Sequence, residues 1–183
     1  MRPVTPYVRV IRGIDAFTTF VSYLVLILFI PPLVIANVIE VVMRYAFHAP
    51  TIWALDVTTM SFGALFMLGA GYTLLKGAHV RTDIFWEQMT PRTKGMIDAI
   101  AYIVLFIPTM AVLLNISWGE FMFAFELDER SSTGIWRPIL WPFRLVVPLA
   151  CALLIIQGIS ELMKSLWAVK TGELFTQHEK IEV

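Results

Sequence analysis

An all-α integral membrane protein with four transmembrane helices is the fold class that the sequence predicts. Three observations predict it: an oily composition, the gathering of apolar residues into four long runs, and basic and aromatic residues at the ends of those runs. Hydrophobic residues make up 58% of the 183 positions and charged residues 15%, against roughly 45–50% and about 25% in soluble domains. The mean hydropathy is +0.74. A soluble globule of this composition would present large apolar patches to water; lipid is the solvent that accommodates it.

The first span is predicted over about 16–43. Its stretch 17–39 carries no charge and as a helix covers about 35 Å, enough for the hydrocarbon core with some tilt. It is too long for the apolar region of a cleaved signal, so the basic start (Arg2, Arg9, Arg12) reads as the flank of a retained helix. Pro31 and Pro32 withhold two backbone donors and predict a kink at its middle. The second span is predicted over 52–75, with the small residues Gly69, Ala70 and Gly71 offering close approach to a neighbour. Asp83 is a candidate N-cap for a short amphipathic segment over 84–89 that lies at the headgroups. Thr90 followed by Pro91 has the pattern of an N-cap and first-turn proline, opening a third span over 96–121 with a kink at Pro108. The fourth span, over 139–167, contains Pro142, Pro148 and Arg144; near the span end, Arg144 can snorkel to the headgroups. No repeat or low-complexity segment is present, and 1–183 reads as one membrane domain.

Lys and Arg set the orientation. The N-terminus, the 76–95 loop and the C-terminal tail together hold ten of them (Arg2, Arg9, Arg12, Lys76, Arg81, Arg92, Lys94, Lys164, Lys170, Lys180), and the opposite side holds four (Arg44, Arg130, Arg137, Arg144). The positive-inside rule then places both termini in the cytoplasm. Trp53, Trp136 and Trp141 fall at predicted outer ends, Trp86 and Trp167 at inner ones, as an aromatic belt requires.

Several function classes are excluded. A net charge of zero gives no basic field for nucleic acid. The single cysteine, Cys151, rules out an intrachain disulfide and reads as a small core residue. His48, His79 and His178 all fall in loops or the tail, where none offers a mid-membrane haem ligand. No nucleotide-binding loop, nucleophile elbow or paired-histidine metal motif occurs, so neither enzyme chemistry nor a cofactor is expected. Thr18, Thr19, Ser22, Thr58, Thr59 and Ser61 read as helix-to-helix or back-bonding hydroxyls. The inner polar groups are Asn37, Asn115 and Gln157, while Asp56, Asp98, Glu120 and Glu161 lie near span ends. A solute path normally needs ionisable groups or broken helices at mid-depth; four helices without them point to an accessory subunit that presents its faces to a larger partner. A membrane anchor for a respiratory or redox complex and a free-standing small exporter remain as alternatives.

The stretch Lys76-Gly77-Ala78-His79-Val80-Arg81-Thr82-Asp83 resembles the Gly-x-His-Val-x-x-Asp segment of the small membrane subunit, the DctQ type, of tripartite ATP-independent periplasmic (TRAP) transporters. Arg44-Tyr45 closing the first span, Trp53-Ala54-Leu55-Asp56 opening the second and the 138–148 region are also similar, although Asp56 stands where such subunits more often carry Glu. The resemblance implies a non-catalytic small permease subunit in a multi-pass arrangement in the inner membrane of a bacterium or archaeon. It further implies secondary transport driven by an ion gradient, commonly sodium, with a periplasmic binding protein delivering an organic acid. The large membrane subunit would hold the substrate and move, and the small one would brace its scaffold.

Candidate sites follow. His79, Arg81 and Asp83 are candidates for a hinge or subunit interface, against the plainer reading of a solvated loop. Arg44 and Asp56 flank the first outer loop and are candidates to pair across it, although an exposed pair is worth at most about 1 kcal/mol. In the outer loop 120–138, Glu126, Asp128 and Glu129 are candidates for docking the binding protein, against the reading of an acidic, solvated loop.

Overall fold

The structure, a computed structural model, describes residues 6–77, 89–132, 134–173 and 175. Four helices are long and apolar enough to cross a membrane: α1 (Pro6–Tyr45), α2 (Ala54–Leu75), α3 (Pro91–Glu126) and α4 (Trp141–Thr171). No strand accompanies them among the described residues; one isolated antiparallel bridge joins Arg130 to Ile139.

Each helix matches a predicted span, and three of them overrun it. α1 begins at Pro6, ten residues before the predicted span, because helix formation needs backbone hydrogen bonds and not lipid. It continues through Pro31 and Pro32 without a break. α3 starts where the local chemistry predicts: Thr90 is extended and its hydroxyl accepts from the Thr93 N–H, with Pro91 in the first turn. The Pro108 distortion appears as a π-helical turn over Tyr102–Phe106, in which the Ile107 N–H reaches the Tyr102 carbonyl. Pro108 lacks an N–H and crowds the carbonyl four residues back, Val104, so the wider turn is a local remedy. α4 ends on Gly172, at φ +74°, whose N–H caps the Ala168 carbonyl at 2.9 Å, a left-handed terminus suited to glycine. The proposed amphipathic segment, save Met89, lies outside the described residues.

The chain divides into two compact units. The first gathers Met1–Phe20, Gly71–Val112 and Ala152–Val183: the start of α1, the end of α2, the first part of α3 and the end of α4. Here α3 and α4 touch closely. A Cβ on Gly95 would stand 2.6 Å from the Ser165 carbonyl, and one on Gly158 2.6 Å from the Phe106 ring. Tyr7 stacks on Trp167 with ring centroids 5.9 Å apart and donates its hydroxyl to the Met163 carbonyl.

The second unit comprises Val21–Ala70 and Leu113–Cys151. Asn37 of α1 donates to the Thr58 hydroxyl of α2 at 3.1 Å. The Phe143 ring of α4 lies 3.0 Å from the place of a Gly63 Cβ. Phe125 meets Trp141 edge-on at 5.6 Å. The small-residue stretch expected to carry close packing does not do so: nothing lies within 4 Å of a Gly69 Cβ, and Gly71 meets only Thr18 at an ordinary 3.6 Å. Gly63, Gly95 and Gly158 carry it instead.

Candidate functional site

Four polar arrangements tie the helices to one another and to their loops. The most buried joins α1 to α4 in the first unit. Along α4, Gln157, Ser160, Glu161 and Lys164 recur at spacings of three and four, which brings them onto one face. Asp15 and Thr18 of α1 are three apart in the same way.

The Lys164 ammonium lies 2.8 Å from Asp15 and 2.7 Å from Glu161. Gln157 donates its amide to Asp15 at 3.1 Å and to Glu161 at 3.0 Å, and its carbonyl accepts from Thr18 at 2.7 Å. Ser160 donates to Asp15 at 2.8 Å. The side chains of Lys164 and Glu161 are 9% and 6% exposed and that of Asp15 24%. Such a network resists separation, because removing one member leaves a charge out of water with nothing to offset it. Its chemistry is that of a clamp: every group is held by another member.

The second network lies in the second unit. Arg144 bonds Glu120 at 2.5 Å and Glu129 at 2.7 Å, tying α4 to the end of α3 and to the loop that joins them. That loop closes on itself through Ser131 N–H to Pro138 carbonyl and Leu140 N–H to Glu129 carbonyl, both 2.8 Å. Glu126 and Asp128 are exposed. Glu129 turns to Arg144, and its second carboxylate oxygen is buried, so Glu126 and Asp128 are the acids this loop presents outward.

The expected Arg44–Asp56 pair is replaced by two separate arrangements. Arg44 donates to Glu40, one turn back, with Nε at 2.9 Å, because an i, i+4 neighbour is reached without ordering a loop. Glu40 also accepts from the Thr51 N–H at 2.9 Å, which fastens the loop after α1. Asp56 is 4% exposed and accepts from the Ser131 hydroxyl at 3.3 Å. A Cβ on Gly134 would sit 2.9 Å from the Asp56 carboxylate. The loop thus packs tightly onto a short carboxylate, and a longer glutamate would have to displace it. His79, Arg81 and Asp83 lie outside the described residues.

Sequence reasoning missed the Asp15–Glu161–Lys164 clamp. The signal available was the polar stripe at three- and four-residue spacing in an otherwise apolar helix; what hid it was placing Glu161 and Lys164 at the span end, where charge is unremarkable. Among the described residues no three His, Cys, Asp or Glu side chains group to hold a metal ion.

Residues 33–167 match the family model of the DctQ component of tripartite ATP-independent periplasmic transporters. The chain belongs to the DctQ family. Comparison with curated proteins and with solved structures returns no match. The DctQ match takes in all of α2 and α3, most of α4 and the latter part of α1, so it includes Gln157, Ser160, Glu161 and Lys164 but not Asp15. As a DctQ component the chain is part of a transporter, and these polar arrangements are the internal fastenings of a multi-pass subunit.

Proposed function

We propose that this DctQ component is the small permease subunit that braces the large membrane subunit of a TRAP transporter during ion-driven uptake of an organic acid. Sodium is the coupling ion in this reading, and a periplasmic binding protein delivers the acid. The subunit sits in the inner membrane with both termini in the cytoplasm, a reading supported by the ten-to-four distribution of Lys and Arg. The start of α1 and the end of α4 belong to one unit, consistent with an even number of crossings.

The observation that carries the bracing role is Asn115. The most apolar windows of α1 and α3 are only 11% buried, against 44% for α4. Asn115 stands exposed in the second half of α3. One turn on, Gly119 has nothing within 4 Å of a Cβ position, and Val112, one turn back, is 58% exposed. An amide facing hydrocarbon needs a partner, and a glycine beside it lets another helix come close enough to provide one. We assign this face of α3 to the large subunit. The segment bearing His79, Arg81 and Asp83 is proposed as a hinge at the same interface.

Asn115→Leu should lower recovery of the large subunit in co-purification by about threefold to tenfold, the range of an interhelical hydrogen bond in a membrane. The thermal midpoint of the DctQ component alone should not change. Undiminished recovery of the large subunit would remove α3 from the interface.

Glu126 and Asp128 are proposed to dock the binding protein from the periplasmic side. Reversing both to Lys should weaken its binding about fivefold to tenfold at low ionic strength, with the difference shrinking as salt rises. Equal affinity of wild type and variant at low salt would count against this docking surface.

A further inference from the structure

We propose that the first unit carries a basic rim that binds the headgroups of anionic phospholipids in preference to zwitterionic ones. The proposal rests on the membrane reading of the helices and is independent of the transporter reading.

Every helix contributes. Arg9 and Arg12 on α1, Lys76 just past α2, Arg92 in the first turn of α3 and Lys170 in the last turn of α4 are all exposed. Among the described residues of this unit, Glu173 is the one exposed acid, and no ion pair engages these five cations. Two further acids of this unit, Asp15 and Glu161, are spent on Lys164. In the second unit, by contrast, the exposed cations Arg44, Arg130 and Arg137 are equalled in number by the exposed acids Glu120, Glu126 and Asp128, and Arg44 is bonded to Glu40.

The helix ends that carry Arg9, Arg12, Arg92 and Lys170 are also neighbours in space. Stacking of Tyr7 on Trp167 brings the first turns of α1 beside the last turns of α4. The Arg92 side chain reaches to 3.2 Å from a Cβ position on Gly172, which brings the start of α3 to the same place. Apolar and aromatic surface is interleaved with the charge. Tyr7 and Phe175 flank Trp167, and Val10, Phe17 and Leu166 are 50%, 47% and 46% exposed. Cationic tips beside exposed apolar and aromatic side chains match the boundary between phosphate headgroups and acyl chains. An acidic soluble partner would satisfy the charge and leave that apolar surface in water.

The test uses the purified full chain in detergent, offered equimolar phosphatidylglycerol and phosphatidylethanolamine of distinguishable mass, with bound lipid counted by native mass spectrometry. A basic side chain near an anionic surface is worth about fivefold in partitioning, so the wild type should retain phosphatidylglycerol over phosphatidylethanolamine by about tenfold or more. The variant R9Q/R12Q/R92Q/K170Q should fall to near parity, and R130Q/R137Q in the second unit should keep the wild-type ratio. If the fourfold variant does not fold, R9Q/R12Q and R92Q/K170Q are read separately, and each should lose part of the preference. Equal retention of the two lipids by the wild type would overturn the proposal. So would a preference undiminished in the rim variants, or one lost equally in R130Q/R137Q.

Discussion

Lys164→Met is expected to destabilise the chain by about 3–5 kcal/mol, the cost of stranding buried charge when one partner of an ion pair is removed. Two carboxylates, Asp15 and Glu161, converge on this one ammonium. Without it they face each other across the α1–α4 contact with, among the described residues, Gln157 and Ser160 donating to them. Thermal unfolding in detergent should register a fall of roughly 10 °C for a chain of this size. The neutral triple variant Asp15→Asn, Glu161→Gln, Lys164→Met should recover most of the loss, because it removes the stranded charge while amides still bond the same neighbours. A wild-type midpoint for Lys164→Met would show that the clamp contributes nothing, and a triple variant as weak as the single would locate the loss in packing instead of charge.

Gly95→Ala is the substitution expected to disturb the α3–α4 contact most. Its Cβ would meet the Ser165 carbonyl oxygen at 2.6 Å, the Ala168 Cβ at 3.1 Å and the Val169 nitrogen at 3.1 Å. Two of these three are backbone atoms, which cannot rotate away, so the helices must separate, at a cost of about 1–3 kcal/mol. Gly158→Ala makes an equally short contact, but with the Phe106 ring, and a ring can turn, so its loss should be smaller. Gly13 has nothing within 4 Å, and Gly13→Ala should be neutral or stabilising by up to about 1 kcal/mol through helix propensity. The midpoints should therefore fall in the order Gly13→Ala, wild type, Gly158→Ala, Gly95→Ala. A Gly95→Ala chain as stable as Gly13→Ala would mean that the helices do not approach there.

Particular residues mark how far the site could be read in advance. Thr90 and Pro91 act where the chain predicts, because a cap and a first-turn proline depend on neighbours within four residues. Pro108 announces a distortion, though not that it takes the form of a π-helical turn. Gln157 and Thr18 are legible as polar groups seeking partners across helices, but not as partners of each other. Arg144 reads as a snorkelling cation, and only the fold of the 127–140 loop turns Glu129 back onto it.

By itself the sequence determined four helical spans, their order and approximate ends, the cap that opens α3, the asymmetry of Lys and Arg, and membership in the DctQ family. All of these accumulate along short or contiguous stretches, and hydropathy, capping and charge bias need no knowledge of which helix lies beside which. The tertiary structure alone decided that Asp15 meets Ser160 across 145 positions, that Asp56 meets Ser131 across 75, and that glycines 63, 95 and 158 make tight helix-to-helix contacts. Residues so far apart come together only when whole helices pack. In an apolar span every face looks equally fit for lipid or protein, so the choice of which faces meet is written in packing and not in composition.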